Sequence, residues 1–306
     1  MSKQPQDSAI PRDPPSSVKR QLRQEAGFGC CVCGSPFFEY HHIIPFGEKP
    51  HHEPADMMIL CPNHHHEANV GAMDDSAQRK SKGNPFNIDK GYVLGQLAVA
   101  SRTLAVELGA NLFIGSGMKV VVDNEPLLQI GMAEERRLAL SLDVHAEDDA
   151  PLISVVDNEW ITGDPLPWDL EFGYRWLKLR LRHHEIALSI DARQEIVRVD
   201  GDFWRRGQHF TVSPAELSFN GVDRNIGFTG LGFVAATFIV DTKKREFAIA
   251  PDPVFKQMSM VSRPTLPEVL TDGLKSYQSI LEKQKPGRND PCPCRSGEKW
   301  KRCHGA

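Results

Sequence analysis

The sequence predicts a multidomain α+β protein: a small metal-held N-terminal domain, a central mainly-β domain, and a C-terminal helix followed by a second small metal-held knuckle. Three observations carry that expectation. Residues 30–67 hold four of the seven cysteines and seven of the twelve histidines of the 306-residue chain. The other three cysteines fall in the last fifteen residues, so the middle of the chain has none. That cysteine-free middle is a succession of short apolar or alternating runs separated by turn residues, which is the texture of a β domain. Thiolate and imidazole are the ligands zinc and other transition metals prefer, so clusters at the two ends imply two metal modules.

Composition bounds the rest. Hydrophobic residues at 40% and charged residues at 25% are ordinary for a globular protein. Apolar runs such as Val234–Val240 are too short to span a bilayer, and no signal peptide opens the sequence, so a cytoplasmic protein without a membrane partner is expected. Cys-x-x-Cys spacing in that setting favours metal over disulfides. A net charge of −4 counts against a large non-specific DNA-binding surface but leaves a local phosphate-binding face open.

Taken in order, residues 1–15 are polar and Pro-rich and read as a disordered tail. Ser16 and Ser17 are candidate N-caps for a helix over Val18–Ala26 closed by Gly27. Lys19, Arg20 and Arg23 share a side of it and are candidate DNA phosphate contacts, with a solvated charge face as the plain alternative. Cys30-x-x-Cys33-Gly34 suits a zinc knuckle. A short strand over Phe37–Tyr40 runs into His41-His42-Ile43-Ile44-Pro45, and Asp56–Leu60 leads into Cys61-Pro62-Asn63-His64-His65, where Pro62 marks a helix start. Strand, strand, helix, with ligands at the turn and on the helix, is a ββα-metal outline.

Those residues, over roughly 16–70, resemble the HNH nuclease family: Cys30/Cys33, His41-His42 with Pro45, Asp56-Met57, and Leu60-Cys61-x-x-His64-His65. The resemblance implies a metal-dependent endonuclease acting on DNA, in a setting such as restriction or phage defence. Cys30, Cys33, Cys61 and His64 would form a structural Cys3His zinc site, without which so small a domain would not hold itself. His42 would be the general base that activates water, and a divalent ion on His41 and His65 would stabilise the leaving oxyanion. An imidazole site suits Mn2+, Ni2+ or Zn2+ at least as well as Mg2+, which water and phosphate oxygens would still allow. Asp56 stands where the family commonly has Asn; it would orient His42 or bind the metal, with Asn63 and Asn69 as the alternatives. Cys31 reads as a small buried hydrophobe. The competing expectation is a non-catalytic zinc-module adaptor that binds nucleic acid or protein.

Residues 16–85 are thus one domain. Residues 86–265 are a helix plus a β-rich domain of unknown role. Asp89–Leu108 has the spacing of an amphipathic helix, with Leu97, Ala100, Leu104 and Leu108 on one side. Strands are expected from Leu112 to Ile249, with turns at Asp123-Asn124, Asp200-Gly201 and Asn220-Gly221 and His183-His184 inside a strand. The acidic segments with Trp160 and Trp168 read as ordinary loops. Residues 266–285 read as a helix. Residues 286–306 strongly resemble the SEC-C motif found at the end of the preprotein translocase ATPase, where it docks a chaperone. Cys292, Cys294, Cys303 and His304 map onto its zinc ligands, and Arg288, Lys299, Lys301 and Arg302 give it a basic surface for an acidic protein or a nucleic acid.

Overall fold

The structure is a computed structural model. It describes residues 10–90 without a break, and residues 93–262 apart from 95–96, 100–103, 116, 133–136, 157, 163–166, 221–224, 229–230, 235, 242–245 and 252–258. Beyond those it describes residues 274–275, 278–279, 289 and 299–302. The chain divides into two compact units, Met1–Leu94 and Gly95–Ala306.

The first unit runs α1 (Ser16–Glu25), β1 (Glu39–His42), β2 (Met57–Leu60), α2 (Pro62–Asn69), α3 (Asp75–Gly83), α4 (Phe86–Lys90) and a two-residue strand β3 (Val93–Leu94). Helix α1 starts on Pro15 with no side-chain cap, so Ser16 and Ser17 lie inside the helix rather than ahead of it. Gly27, at φ +62°, closes it as expected. β1 and β2 pair antiparallel, with His41 opposite Met58 and His42 opposite Met57. All four residues of β2 are buried, and with Leu22, Ala26, Cys30, Cys31 and Ile43 they make the unit's core. Residues 10–15 are part of this unit: Pro14 is buried, and the Pro11 carbonyl accepts a hydrogen bond from His52.

The second unit continues with β4 (Leu104–Leu108), β5 (Asn111–Gly115), β6 (Gly117–Val122), β7 (Glu125–Met132), β8 (Leu138–His145), β9 (Pro151–Val156) and β10 (Glu159–Thr162). Then come β11 (Asp169–Gly173), β12 (Trp176–Arg182), β13 (Glu185–Asp191), β14 (Val197–Arg205), β15 (Gln208–Val212), β16 (Leu217–Asn220) and β17 (Asn225–Phe228). Last are β18 (Leu231–Val234), β19 (Ala236–Asp241), β20 (Glu246–Pro251) and β21 (Ser259–Ser262). They belong to one large, mainly antiparallel sheet whose ladders close into a barrel. Neighbours in sequence pair as hairpins, and three parallel ladders (β4 with β14, β5 with β18, β6 with β19) tie early strands to late ones. The alternation that predicted strands is real packing: β8 alternates buried and half-buried along its whole length. β5, paired on both edges, is buried on both faces, and Phe113 stacks on Phe233 of its parallel neighbour at 5.0 Å.

The fold class is therefore mostly β, and the α+β expectation is corrected. Strands dominate the described residues, and the helices are short. Among its described residues the first unit has four helices and one two-stranded ladder, and a ββα-metal domain is not its fold. The expected helix over Asp89–Leu108 is replaced by α4, β3 and β4. Residues 104–108 find backbone partners in β5 through a tight turn at Gly109, whose φ of +61° only glycine takes without strain, and sheet pairing overrides the helical spacing. Asp200-Gly201 is not a turn but the middle of β14, opposite Ser189 and Leu188; the glycine is needed because a Cβ there would lie 2.8 Å from the Ala187 carbonyl oxygen. Asp123-Asn124 is the expected turn, both residues at positive φ as a type I′ hairpin requires. His183-His184 form the β12–β13 turn rather than a strand interior. No helix among the described residues is long and apolar enough to cross a membrane. The C-terminal helix expected at 266–285 lies outside the described residues except for four positions, and no such helix is established.

Candidate metal centre and histidine cleft

The Cys-x-x-Cys turn is built by backbone hydrogen bonds. The Cys30 N–H donates to the Ser35 carbonyl and the Gly34 N–H to the Cys30 carbonyl, each at 2.8 Å. Gly34, at φ +74°, lets the chain reverse beneath Asn87; a Cβ there would meet the Asn87 side-chain oxygen at 2.2 Å. Asn87 in turn donates to the carbonyls of Gly27 and Gly34, locking the turn to the end of α1. Cys61 is the N-cap of α2, which places His64 on the first turn of the helix facing the same point.

The ligand atoms of Cys30, Cys33, Cys61 and His64 all lie within 4.8 Å of one another. The Cys33–Cys61 sulfurs are 3.7 Å apart, and His64 Nδ1 lies 3.1 Å from Cys61 Sγ and 3.5 Å from Cys30 Sγ. Tetrahedral zinc with Zn–S of about 2.3 Å and Zn–N of about 2.05 Å requires S···S near ~3.8 Å and S···N near ~3.6 Å. The donor set and its spacing fit zinc. The Cys33 thiol, although its residue is exposed, faces Cys30 and Cys61, and desolvation followed by these neighbours pushes its pKa up to about 12. A cation is what would make this cluster of thiolates tenable. Cys31 is buried, its thiol pushed up to about 11 chiefly by that burial, and takes no part.

On the other side of β1 and α2 lies an open cleft of about 840 Å³ containing His41, His42 and His65. Each of these rings has one nitrogen committed. His41, buried, places Nε2 3.0 Å from Gln78 Oε1, and the Gln78 amide is itself oriented by donating to the Met73 carbonyl at 2.9 Å. The His41 Nε2 must therefore be the N–H, leaving Nδ1 as the lone pair. His42 Nε2 lies 3.1 Å from the His51 carbonyl, which can only accept, so its Nδ1 is also a lone pair when the ring is neutral. His65 Nδ1 donates to the Glu39 carboxylate, leaving Nε2. Burial first, then in part the neighbouring positive groups, holds His42 below the ordinary imidazole range; burial does the same for His41. Both rings are thereby kept neutral near pH 7.

The Cys3His set singled out in the sequence is brought together, and His41, His42 and His65 line one cleft. Asp56 is not on His42: its carboxylate takes Arg79 at 2.9 Å, and the His51 backbone orients His42 instead. Arg23 is buried and bonds the Tyr40 hydroxyl, which removes it from any phosphate face. Lys19 pairs with Asp13 at 2.6 Å and lies over the Tyr40 ring. Glu39, His51 and Gln78 hold the three rings and were not among the residues the sequence pointed to. Glu39 was findable, because it sits two residues before His41 and so on the same strand face. Gln78 and His51 carry no spacing signal.

Residues 288–306 match the SEC-C motif. The chain carries a SEC-C module. Curated relatives match over short stretches: the protein translocase subunit SecA of Solibacter usitatus is 57% identical over 35 residues, 11% of this chain and 4% of its own length. SecA of Halothermothrix orenii is 35% identical over 95 residues, 29% of this chain and 11% of its own. SecA of Chlorobium phaeovibrioides is 81% identical over 26 residues. The chain thus spans about a tenth or less of the length of these relatives. No solved structure matches. SEC-C is a zinc-binding module; Cys292, Cys294, Cys303 and His304 lie outside the described residues, and Trp300–Arg302 form a single 3-10 turn.

Proposed function

We propose that the N-terminal unit is a metal-dependent endonuclease of HNH type that hydrolyses DNA phosphodiester bonds. The observation that carries the reading is the one-sided satisfaction of three histidines around one cleft. His41 Nδ1, His42 Nδ1 and His65 Nε2 are left as lone pairs, while Gln78, the His51 carbonyl and Glu39 hold their other nitrogens. Fixing one nitrogen and freeing the other is how proteins prepare imidazole to ligate or to accept a proton.

The His41 and His65 ring centroids are 5.0 Å apart, and His41 Nδ1 and His65 Nε2 are the nitrogens that would hold a divalent ion, completed by water and phosphate oxygens. Mn2+, Ni2+, Zn2+ and Mg2+ are the candidates. The ion would supply charge stabilisation to the phosphate and to the departing oxyanion. His42 Nδ1 takes the proton of a water as its oxygen attacks phosphorus, the P–O bond to the leaving group breaks, and the His51 carbonyl holds the resulting imidazolium through its N–H. The Cys3His zinc fixes α2, and with it His65, against β1. Cys292, Cys294, Cys303 and His304 would hold the zinc of the SEC-C module, whose basic residues would add a docking surface for an acidic protein or a nucleic acid.

The test is relaxation of supercoiled plasmid by the purified full chain with Mn2+ or Mg2+, beside His42→Ala. Metal-dependent nicking is expected from the wild type and its loss, by 100-fold or more as an order of magnitude, from a variant that keeps its zinc. Equal activity in both removes His42 as the base. No activity with any of these ions leaves a non-catalytic zinc adaptor, which gel shifts at low and high salt would then classify.

A further inference from the structure

The segment Ile10–Pro15 lies over the histidine cleft and is fastened on both sides of one residue. Ahead of it, the His52 ring donates from Nε2 to the Pro11 carbonyl at 2.7 Å. After it, the Asp13 carboxylate pairs with Lys19 of α1 at 2.6 Å, and Pro14 is buried. The residue between these anchors is Arg12, which lines the cleft together with His41, His42 and His65. Among the described residues the Arg12 guanidinium makes no ion pair or hydrogen bond. The cleft does contain carboxylates: Asp13 is taken by Lys19 and Glu39 by His65, while Asp75, also in the lining, forms no ion pair with Arg12. The Arg12 charge is close enough to His42 to be one of the groups opposing its protonation.

We propose that this strap makes Arg12 an anion-binding residue of the cleft, and that its ligand is a phosphate group of the nucleic-acid strand the cleft accepts. The inference rests on the phosphodiesterase reading of that cleft. Arginine suits the task because its planar fork meets phosphate oxygens with two parallel N–H bonds and cannot lose its charge. Holding Arg12 by its neighbours' backbone and side chains, rather than by a carboxylate on its own guanidinium, keeps the fork available and limits the entropy lost on binding. Arg12 so placed is a positioning residue: it sets where a phosphate sits relative to His42 Nδ1. It also adds a phosphate contact to what α1 can offer, where Arg23 is buried and Lys19 is paired.

The experiment measures binding of a fluorescent 12-mer of thymidine to the full-length, zinc-loaded protein without added divalent ion, across a salt series. Wild type, Arg12→Gln, Arg12→Lys and Lys49→Gln are compared; Lys49 is an exposed residue of the loop after Phe46, outside the cleft lining. Arg12→Gln should weaken binding by roughly threefold to tenfold at low salt and flatten the slope of log K against log salt by about 0.7, the loss of one single-strand phosphate contact. Arg12→Lys should keep the slope with weaker binding, and Lys49→Gln should leave both unchanged. An unaltered slope in Arg12→Gln, an equal loss in Lys49→Gln, or no binding by the wild type at low salt overturns the proposal. Failure of the catalytic reading looks different: Arg12-dependent binding persists while no ion supports plasmid cleavage. Conversely, His42-dependent cleavage that Arg12→Gln leaves intact, in rate and in KM, sinks the Arg12 proposal alone.

Discussion

Cys61→Ser separates the metal from every other support of the N-terminal unit. Cys61 is the N-cap of α2 and makes no side-chain capping bond, and serine is among the better N-cap residues, so the helix start is not harmed by the exchange. What is lost is one of three thiolates whose sulfur lies 3.7 Å from Cys33 Sγ and 3.1 Å from His64 Nδ1. Structural zinc contributes on the order of 10 kcal/mol to folding in small domains, while a domain's whole net stability is about 5–15 kcal/mol. Even if the variant forfeits only about 4 kcal/mol, opening of the unit becomes roughly a thousandfold more frequent.

Hydrogen exchange across β2 reads this directly. Met57–Leu60 are at most 1% exposed, and the Ile59 carbonyl accepts from the Cys31 N–H, so protection there reports the whole zinc-tied core. All five tryptophans lie at or beyond Trp160, so their fluorescence reports the second unit and serves as the internal control. Cys61→Ser should lose protection over residues 57–60 and one equivalent of zinc, with the SEC-C equivalent retained and the fluorescence unfolding curve unchanged. Full zinc content with wild-type protection at Ile59 would refute the reasoning.

Two further outcomes concern the barrel. Phe210, 1% exposed, stacks on Phe203 at 5.7 Å and meets the edge of Phe219 at 5.3 Å, so Phe210→Ala should cost about 3–5 kcal/mol and lower the urea midpoint read by tryptophan fluorescence without changing the slope. Asp200 has its pKa raised by burial first and by Glu107 second, so its charge burdens the native state above its unfolded value of 3.8, and stability is gained as the pH falls and the proton is bound. Asp200→Asn should therefore stabilise the second unit at pH 7, with the gain over wild type narrowing toward pH 4; a constant gain would refute the charge argument.

The Cys3His cluster was legible because thiolate spacing is short-range: Cys30 and Cys33 share one turn, and Cys61 and His64 one turn of helix. Most strands were legible because burial on one face writes itself into alternation, as in β8. What was not legible is long-range. Leu97, Ala100, Leu104 and Leu108 fit a helix on their own, and only the backbone partners of β5 and β14 turn 104–108 into a strand. The three parallel ladders have no local signature at all. The same holds in the cleft, where His41 is fixed by Gln78, 37 residues away, and Arg12 is delivered by anchors at His52 and Lys19.

The aspartate at position 56 serves the proposed base through its backbone rather than through its side chain. Its side chain is turned to Arg79, yet its backbone carbonyl accepts from the Ile43 N–H at 2.9 Å, one residue past His42. That bond extends the β1–β2 ladder beyond His42 and pins the strand end from which the His42 ring projects. The His42 ring is then oriented by another backbone carbonyl, that of His51, whose own ring is locked by donating to the Ile44 carbonyl and accepting from the Glu53 N–H. Both tasks, holding the strand and orienting the ring, are carried by main chain. Main-chain contacts do not distinguish Asp from Asn, so the departure at position 56 leaves the geometry of His42 intact, and the residue whose loss would disturb that ring is His51.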